Sequence, residues 1–310
     1  MQRIVITGVA GFIGSNLADY LLKKGYEVVG IDNLSYGVRE QVPDAVKFYC
    51  EDICSREIEN IIQSGDIIFH LAAKNCISDC QSDPAETAKI NVFGTTNIFQ
   101  CASSAKAAKV IYAESSAMYE GDDHLPSHEN IIHPESFYAI SKYATLLFAN
   151  AYRRYYGLKS TALRYFCVYG PRQDYRRTIP PVMSEFILKL MYDQTPTIYG
   201  DGNKKRDFIH VDDVNAFHLQ CIHDARTDNN VFNLGSGINY SVNEIYHLIS
   251  QLLDKNITPI FKPDLPGEAQ ETLANIDRAK QLGWTPTVDI VSGLHTFIDY
   301  YRTMEIPCPP

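Results

Sequence analysis

The run Arg3-Ile4-Val5-Ile6-Thr7-Gly8-Val9-Ala10-Gly11-Phe12-Ile13-Gly14 carries a short β-branched strand into three spaced glycines. A helical pattern follows, with Leu17, Leu21 and Leu22 on one face. Each glycine has its own use at such a join: a tight turn, close backbone approach to a pyrophosphate, and close helix–strand packing. The new helix offers unpaired N–H groups to an anion. A glycine trio alone fits any tight turn. Its place after the first strand of a βαβ unit is what points to a dinucleotide, with Gly8, Gly11, Phe12, Ile13 and Gly14 around it. Asp32 ends the next strand, eighteen residues past Gly14. A carboxylate there accepts the ribose hydroxyls of NAD and repels the 2′-phosphate of NADP, although Arg39 nearby softens that preference.

Outward from this join, β-rich runs alternate with helical patterns. Strands are expected at Arg3–Thr7, Glu27–Asp32, Lys47–Tyr49, Ile67–Leu71, Val110–Ala113 and Ser160–Tyr165, and helices at Gly14–Lys24, Glu57–Gln63, Pro84–Ala105 and Phe137–Tyr156. Such alternation implies an α/β fold, a Rossmann-type doubly wound parallel sheet covered on both faces. Beyond Arg164 the pattern loosens into short elements punctuated by Pro171, Pro180, Pro181, Pro196, Pro259, Pro263 and Pro266. Helices are expected near Val182–Tyr192, Val211–His223 and Val242–Leu253. The division expected is a cofactor domain of residues 1–166 and 205–223 and a smaller mixed lobe of 167–204 and 224–310.

Composition narrows the classes. In 310 residues, 45% are hydrophobic and 21% charged, which excludes disorder, collagen and coiled coil. A net charge of −9 disfavours a general nucleic-acid binder, though not a local basic pocket. No apolar run approaches membrane-span length, and the N-terminus has no signal-peptide pattern, so a soluble cytoplasmic protein is expected. The eight cysteines include two C-x₃-C pairs, Cys50/Cys54 and Cys76/Cys80. Structural zinc more often uses C-x₂-C pairs near turns, so reduced, mostly buried thiols and no metal are expected.

Tyr138-Ala139-Ile140-Ser141-Lys142 sets a phenol and an ammonium at i and i+4, on one helical face. Tyrosine is a poor base at neutral pH. A neighbouring lysine and the positive charge of an oxidised nicotinamide both favour its phenolate. Tyr-x₃-Lys alone arises easily by chance in a chain with 20 tyrosines. Ser115 changes this, because it follows the Val110–Ala113 strand and ligands of open α/β sheets bind outside the carboxyl ends of strands. Ser115, Tyr138 and Lys142 are therefore the candidate catalytic set.

With these residues in place the chain resembles the extended short-chain dehydrogenase/reductase family, in its branch of NAD-dependent nucleotide-sugar epimerases and dehydratases. The matching stretches include Thr7–Gly14, Asp32-Asn33-Leu34, His70-Leu71-Ala72-Ala73, Asn91–Thr95, Ser115-Ser116, Tyr138–Lys142 and Arg164-Tyr165-Phe166. They continue through Gly170-Pro171-Arg172-Gln173, Gly200-Asp201-Gly202, Arg206–Asp213 and Leu282-Gly283-Trp284. Within the family the UDP-glucose 4-epimerases are most alike. The resemblance implies that Asp52 and Ile53 flank the adenine, that Asn33 contacts the cofactor, that Leu71, Ala72 and Ala73 line it, that Asn91 steadies it, and that Tyr165 adjoins the nicotinamide. It places Ser115, Ser116, Phe166, Cys167, Val182, Tyr199, Arg206 and Glu268 around a nucleotide sugar. Tyr199 would stack on the base, Glu268 would reach the ribose, and Arg206 would fork onto the diphosphate. A surface ion pair of Arg206 with Asp207 or Asp212 is the alternative. A homodimer through Pro84–Ala105 and Phe137–Tyr156 is also implied.

For the reaction, the resemblance implies 4-epimerisation through a transient 4-ketosugar. The usual dehydratases carry Asp-Glu where this chain has Ser116-Ala117. Three departures from the family pattern keep an unusual elimination open: Glu120 replaces a glycine, Cys167 an asparagine and Leu265 an arginine. Glu120 or Glu114 would then serve as the added acid–base group, unless Glu120 is a solvated loop acid. Arg172, Arg176 or Arg177 are candidates to replace the missing phosphate contacts. A non-catalytic NAD sensor or scaffold is the reading from a different class, and it has no need of the base that Tyr138 supplies.

Overall fold

The computed structural model describes residues 2–177, 179–264 and 269–304. Its strands are β1 (Arg3–Thr7), β2 (Glu27–Asp32), β3 (Lys47–Cys50), β4 (Ile67–His70), β5 (Lys109–Ser115), β6 (Ser160–Tyr165), β7 (Cys167–Tyr169), β8 (Thr197–Tyr199), β9 (Lys205–His210), β10 (Val231–Leu234), β11 (Asn239–Ser241) and β12 (Ile260–Lys262). Seven of them form one sheet in the order β10-β6-β5-β4-β1-β2-β3. Every pairing within it is parallel.

The side-chain period of two explains why this sheet is buried on both faces. On β1, Ile4 and Ile6 join Leu17 and Leu21 of the Phe12–Lys23 helix, together with Val214 and Phe217 of the Val211–His223 helix. Val5 points the other way, into a layer with Ile98, Phe99, Ala149 and Tyr152 from the Thr95–Ala105 and Phe137–Tyr156 helices. Each such aliphatic side chain removed from water contributes about 1.5–3 kcal/mol. Strand order reverses between β1 and β4. The chain leaves these neighbouring strands in opposite directions and opens a crevice at their carboxyl ends.

The remaining strands build a three-stranded sheet, β11-β9-β7, and a parallel pair, β12-β8. These cover a third core that includes Phe186, Ile187, Phe208, Ile245, Ile249 and Phe297. Two boundaries differ from the sequence expectation. Val231–Leu234 is the seventh strand of the large sheet, hydrogen-bonded beside β6, rather than part of the smaller lobe. Conversely, Lys205–His210 belongs to the three-stranded sheet, and only the following helix returns to the large one. Two buried carboxylates secure this crossover. Asp207 accepts from Ser236 N (2.6 Å), Gly237 N (3.0 Å) and Ala274 N (3.0 Å). Asp213 accepts from Thr287 N (2.8 Å) and Val288 N (3.1 Å).

Pro84–Ala105 is less uniform than its apolar pattern suggests: an α-helical turn at Pro84–Thr87, a π-helical stretch at Ala88–Gly94, then α-helix from Thr95. Such wide turns recur at functional sites, and this one holds Asn91. Six described cysteines, Cys50, Cys54, Cys76, Cys80, Cys101 and Cys221, are free thiols. Cys80, Cys101 and Cys221 are buried, Cys54, Cys76 and Cys167 half-buried, and Cys50 exposed, so the thiols are less buried than expected. Among the described residues no helix is long and apolar enough to cross a membrane.

Candidate active site

A cleft of about 900 Å³ lies along the carboxyl ends of the large sheet and reaches the smaller one. Gly8, Gly11, Phe12, Ile13 and Gly14 form its floor at one side. A side chain on Gly8 would place Cβ 2.7 Å from Ala72 N, and one on Gly14 would place it 2.2 Å from Gly8 O. Both positions therefore need glycine for close packing, and Gly8 also has φ +74. The helix starting at Phe12 has no side-chain cap and no acidic residue in its first turn, which leaves its N–H groups open to an anion.

Asp32 is aimed by its own neighbours. Its carboxylate accepts from Ala10 N at 3.0 Å and Leu34 N at 2.8 Å, while burial raises its pKa. Asn33 donates to Asp52 Oδ2 at 3.0 Å, and Cys54 N donates to Asp52 Oδ1 at 2.7 Å. Asn33, Asp52, Ile53, Leu71, Ala72 and Ala73 all line the same side of the cleft. The donor set and the glycine floor fit a dinucleotide bound with its pyrophosphate at the helix start and a ribose at Asp32.

Asn91 sits behind this wall. Its amide accepts from Lys74 N (2.8 Å) and donates to Lys74 O (2.9 Å) and Ser141 Oγ (2.9 Å). The π-helical turn thus joins the loop after β4 to the helix carrying Tyr138. His70 is fixed between Thr7 Oγ1 (2.7 Å) and Thr95 Oγ1 (2.9 Å), and burial pushes its pKa to about 3, so it stays neutral.

Ser115 ends β5, and Ser136 caps the Phe137–Tyr156 helix by accepting from Ala139 N at 3.1 Å. Those two elements bring Ser115, Tyr138 and Lys142 to the cleft together. Burial pushes Tyr138 up to about 12, and the Ser115 hydroxyl beside it partly opposes that shift. Lys142 Nζ donates to Ala113 O at 2.9 Å, and burial brings its pKa down to about 8. In the protein alone the phenol is therefore protonated at neutral pH, and further positive charge in the cleft is needed to make it a base.

Both candidate acids for elimination line the cleft and carry structural bonds. Glu114 is fully buried and accepts from Arg164 Nε at 2.7 Å. Glu120 is not a solvated loop acid: it accepts from Ser136 N (2.9 Å) and Ser136 Oγ (3.0 Å), at the start of the Tyr138 helix.

The nucleotide-sugar residues divide. Ser116, Phe166, Cys167 and Arg206 line the cleft, as does Tyr165, whose hydroxyl lies 2.7 Å from His218 Nε2. Arg206 Nη1 donates to Lys205 O at 2.9 Å. An ion pair with Asp207 does not form, since that carboxylate serves Ser236, Gly237 and Ala274. Val182 and Tyr199 are outside the lining. Val182 opens a helix whose apolar side packs on the third core, while Pro181 before it reaches the cleft. Tyr199 lies on β8 with Lys262 Nζ 6.0 Å from its ring centre. Leu265 and Glu268 lie outside the described residues. Arg172 is not open to substrate phosphates, because it pairs with Asp19 and donates to Ser15 O at 2.8 Å. Tyr36, Asn75, Thr272 and Tyr300 also line the cleft. No motif marks them, since tertiary contact alone brings their segments together.

Comparison with known proteins gives the same picture. The model of the NAD dependent epimerase/dehydratase family matches residues 4–235. A putative UDP-glucose 4-epimerase of Methanocaldococcus jannaschii is 33% identical over 303 residues, covering 96% of this chain and 98% of that protein. Among solved structures, UDP-glucose 4-epimerase of Thermotoga maritima with UDP-glucose superimposes with a TM-score of 0.93 at 33% identity, covering 97% of this chain and 99% of the other. UDP-glucose 4-epimerase of Thermus thermophilus in complex with NAD gives 0.90 at 29% identity, with the same coverage of each chain.

Proposed function

Because the chain belongs to the NAD dependent epimerase/dehydratase family, we propose that it is a nucleotide-sugar 4-epimerase acting on a UDP-linked hexose or N-acetylhexosamine. The observation that carries this reading is one cleft holding Ser115, Tyr138 and Lys142 beside a dinucleotide floor, with both nearby glutamates engaged in structural bonds. NAD, when bound, supplies the site that takes hydride from sugar carbon 4 and gives it back. Tyr138 accepts the proton of the 4-hydroxyl on the outward step and returns it on the way back. Ser115 holds the sugar oxygen against that phenol. Lys142, fixed on Ala113 O, keeps an ammonium one helical turn away and steadies the charged form. Proton and hydride both return, so no water leaves and no cofactor is consumed. Glu114, paired with Arg164, and Glu120, bonded to Ser136, are engaged in holding the elements around the cleft. Epimerisation in deuterated water therefore leaves carbon 4 protonated; deuterium at that carbon would contradict hydride return.

Arg206 in the cleft supports a diphosphate at the junction of the two sheets. The Pro84–Ala105 and Phe137–Tyr156 segments leave Phe93 and Leu147 more than half exposed (55% and 53%), with Ile140 and Phe148 of the second segment also exposed. Such an apolar helical face supports a homodimer packed through these helices; solution mass at twice the chain mass is expected, and a monomer at assay concentration contradicts it. The free described cysteines suit the reducing cytoplasm.

A further inference from the structure

Residues 171–177 follow β7 and line the cleft from Arg172 to Arg177. The root of this segment is built into the fold. Asn16 donates to Pro171 O at 2.9 Å, Arg172 pairs with Asp19 and donates to Ser15 O at 2.8 Å, and Tyr301 Oη donates to Gln173 O at 3.1 Å. The tip reaches further. Arg176 Nη2 donates to Tyr36 O at 2.7 Å, and Arg177 Nη2 donates to Asn75 Oδ1 at 2.9 Å. Asp174 accepts from Nε of both Arg176 (3.0 Å) and Arg177 (3.3 Å).

Strand order gives the two outer bonds their meaning. Tyr36 follows β2 by four residues, Asn75 follows β4 by five, and β1 lies between those two strands. A tip tied on both sides of β1 passes across the crevice at its carboxyl end, where Gly8, Gly11 and the start of the Phe12–Lys23 helix form the floor. That floor is where the pyrophosphate of a dinucleotide sits. Two guanidinium groups against one carboxylate leave one positive charge over it, and a guanidinium fork suits phosphate oxygens. Arg176 and Arg177 keep 45% and 28% of their side-chain surface exposed. Neither tie is buried in a core, so the tip can open while its root stays fixed.

We propose that residues 174–177 form a cationic strap across the pyrophosphate of the cofactor, and that NAD leaves when the ties to Tyr36 and Asn75 break. This role rests on NAD binding and not on which sugar the cleft takes. An enzyme whose hydride returns in every cycle has no need to exchange its cofactor, and a strap that slows release keeps it loaded between turnovers.

Exchange of bound NAD for isotope-labelled NAD, followed by rapid filtration, tests the strap without any sugar. Arg176→Gln combined with Arg177→Gln is expected to speed release by about tenfold or more. Asn75→Ala keeps both charges and breaks one tie, and is expected to speed release by about threefold. Raised salt is expected to quicken release from the parent more than from the double variant, because it screens the charge of the strap. Circular dichroism and the urea midpoint establish that each variant is folded. Release from the folded double variant within about twofold of the parent overturns the proposal, and so does faster release with an unaltered salt dependence. A parent protein that holds no NAD overturns it as well. Exchange needs no sugar, so the strap is judged whether or not the 4-epimerase reading holds.

Discussion

Replacing Tyr138 by phenylalanine is expected to lower turnover by about 10²–10⁴-fold while leaving fold and cofactor content close to those of the parent. The ring is buried, and phenylalanine fills its volume. What disappears is one oxygen in the cleft shared with Ser115 and Lys142, whose Nζ lies 6.0 Å from the ring centre. The loss belongs to kcat, because a proton acceptor matters in the transition state more than in the bound ground state. Ser115→Ala removes only the supporting hydroxyl and is expected to cost less. Turnover within threefold of the parent in Tyr138→Phe would remove the phenol from the mechanism. Steady-state rates on UDP-sugars, with circular dichroism as the folding control, decide it.

The second large effect concerns stability. Arg164 has no exposed surface, and neither does its partner Glu114. The guanidinium donates through Nε to Glu114 (2.7 Å) and through Nη1 to Tyr119 Oη (2.9 Å) and Glu129 O (2.8 Å). Tyr119 Oη in turn donates to Asn233 Oδ1 at 2.6 Å on β10. The network binds β5, β6 and β10 behind the active site. Arg164→Met leaves a buried carboxylate without its cation and is expected to lower unfolding free energy by about 3–5 kcal/mol, read as a fall in the urea midpoint. Glu114→Leu combined with Arg164→Met removes both charges and is expected to recover much of that loss. Since the Glu114 charge also favours the ammonium of Lys142, the double variant is expected to be slower even where it is stable. A single variant as stable as the parent would show the pair to be energetically idle.

Much of the cofactor half is legible in the amino-acid sequence. Val5, Val29 and Ile68 announce a strand because β-branched residues flank glycine-bearing turns, and the three glycines read as a phosphate-binding turn because they follow the first strand of a βαβ unit. Tyr138 and Lys142 are legible because helical spacing puts them on one face. Val231–Leu234 is not, since four residues with a buried Asn233 give no alternation; Asn233 is tolerated because its amide donates to Ser127 O and Asn275 O. The π-helical turn at Asn91 is equally silent, as its apolar spacing matches an ordinary helix. Glu120 reads as free because the Ser136 that occupies it is sixteen residues away. The substrate half is least legible: Val182 and Tyr199 stand outside the cleft while Thr272 lines it, since short elements joined by prolines are placed by packing and not by period.

Product analysis on UDP-glucose, UDP-N-acetylglucosamine and their 4-epimers, followed by NMR with the NAD-loaded protein, tests the central claim most directly. Interconversion of at least one pair, approached from both sides and without loss of water, is the predicted result. An unsaturated or 4-keto-6-deoxy product would contradict it, and so would recovery of every sugar unchanged by a protein that binds NAD.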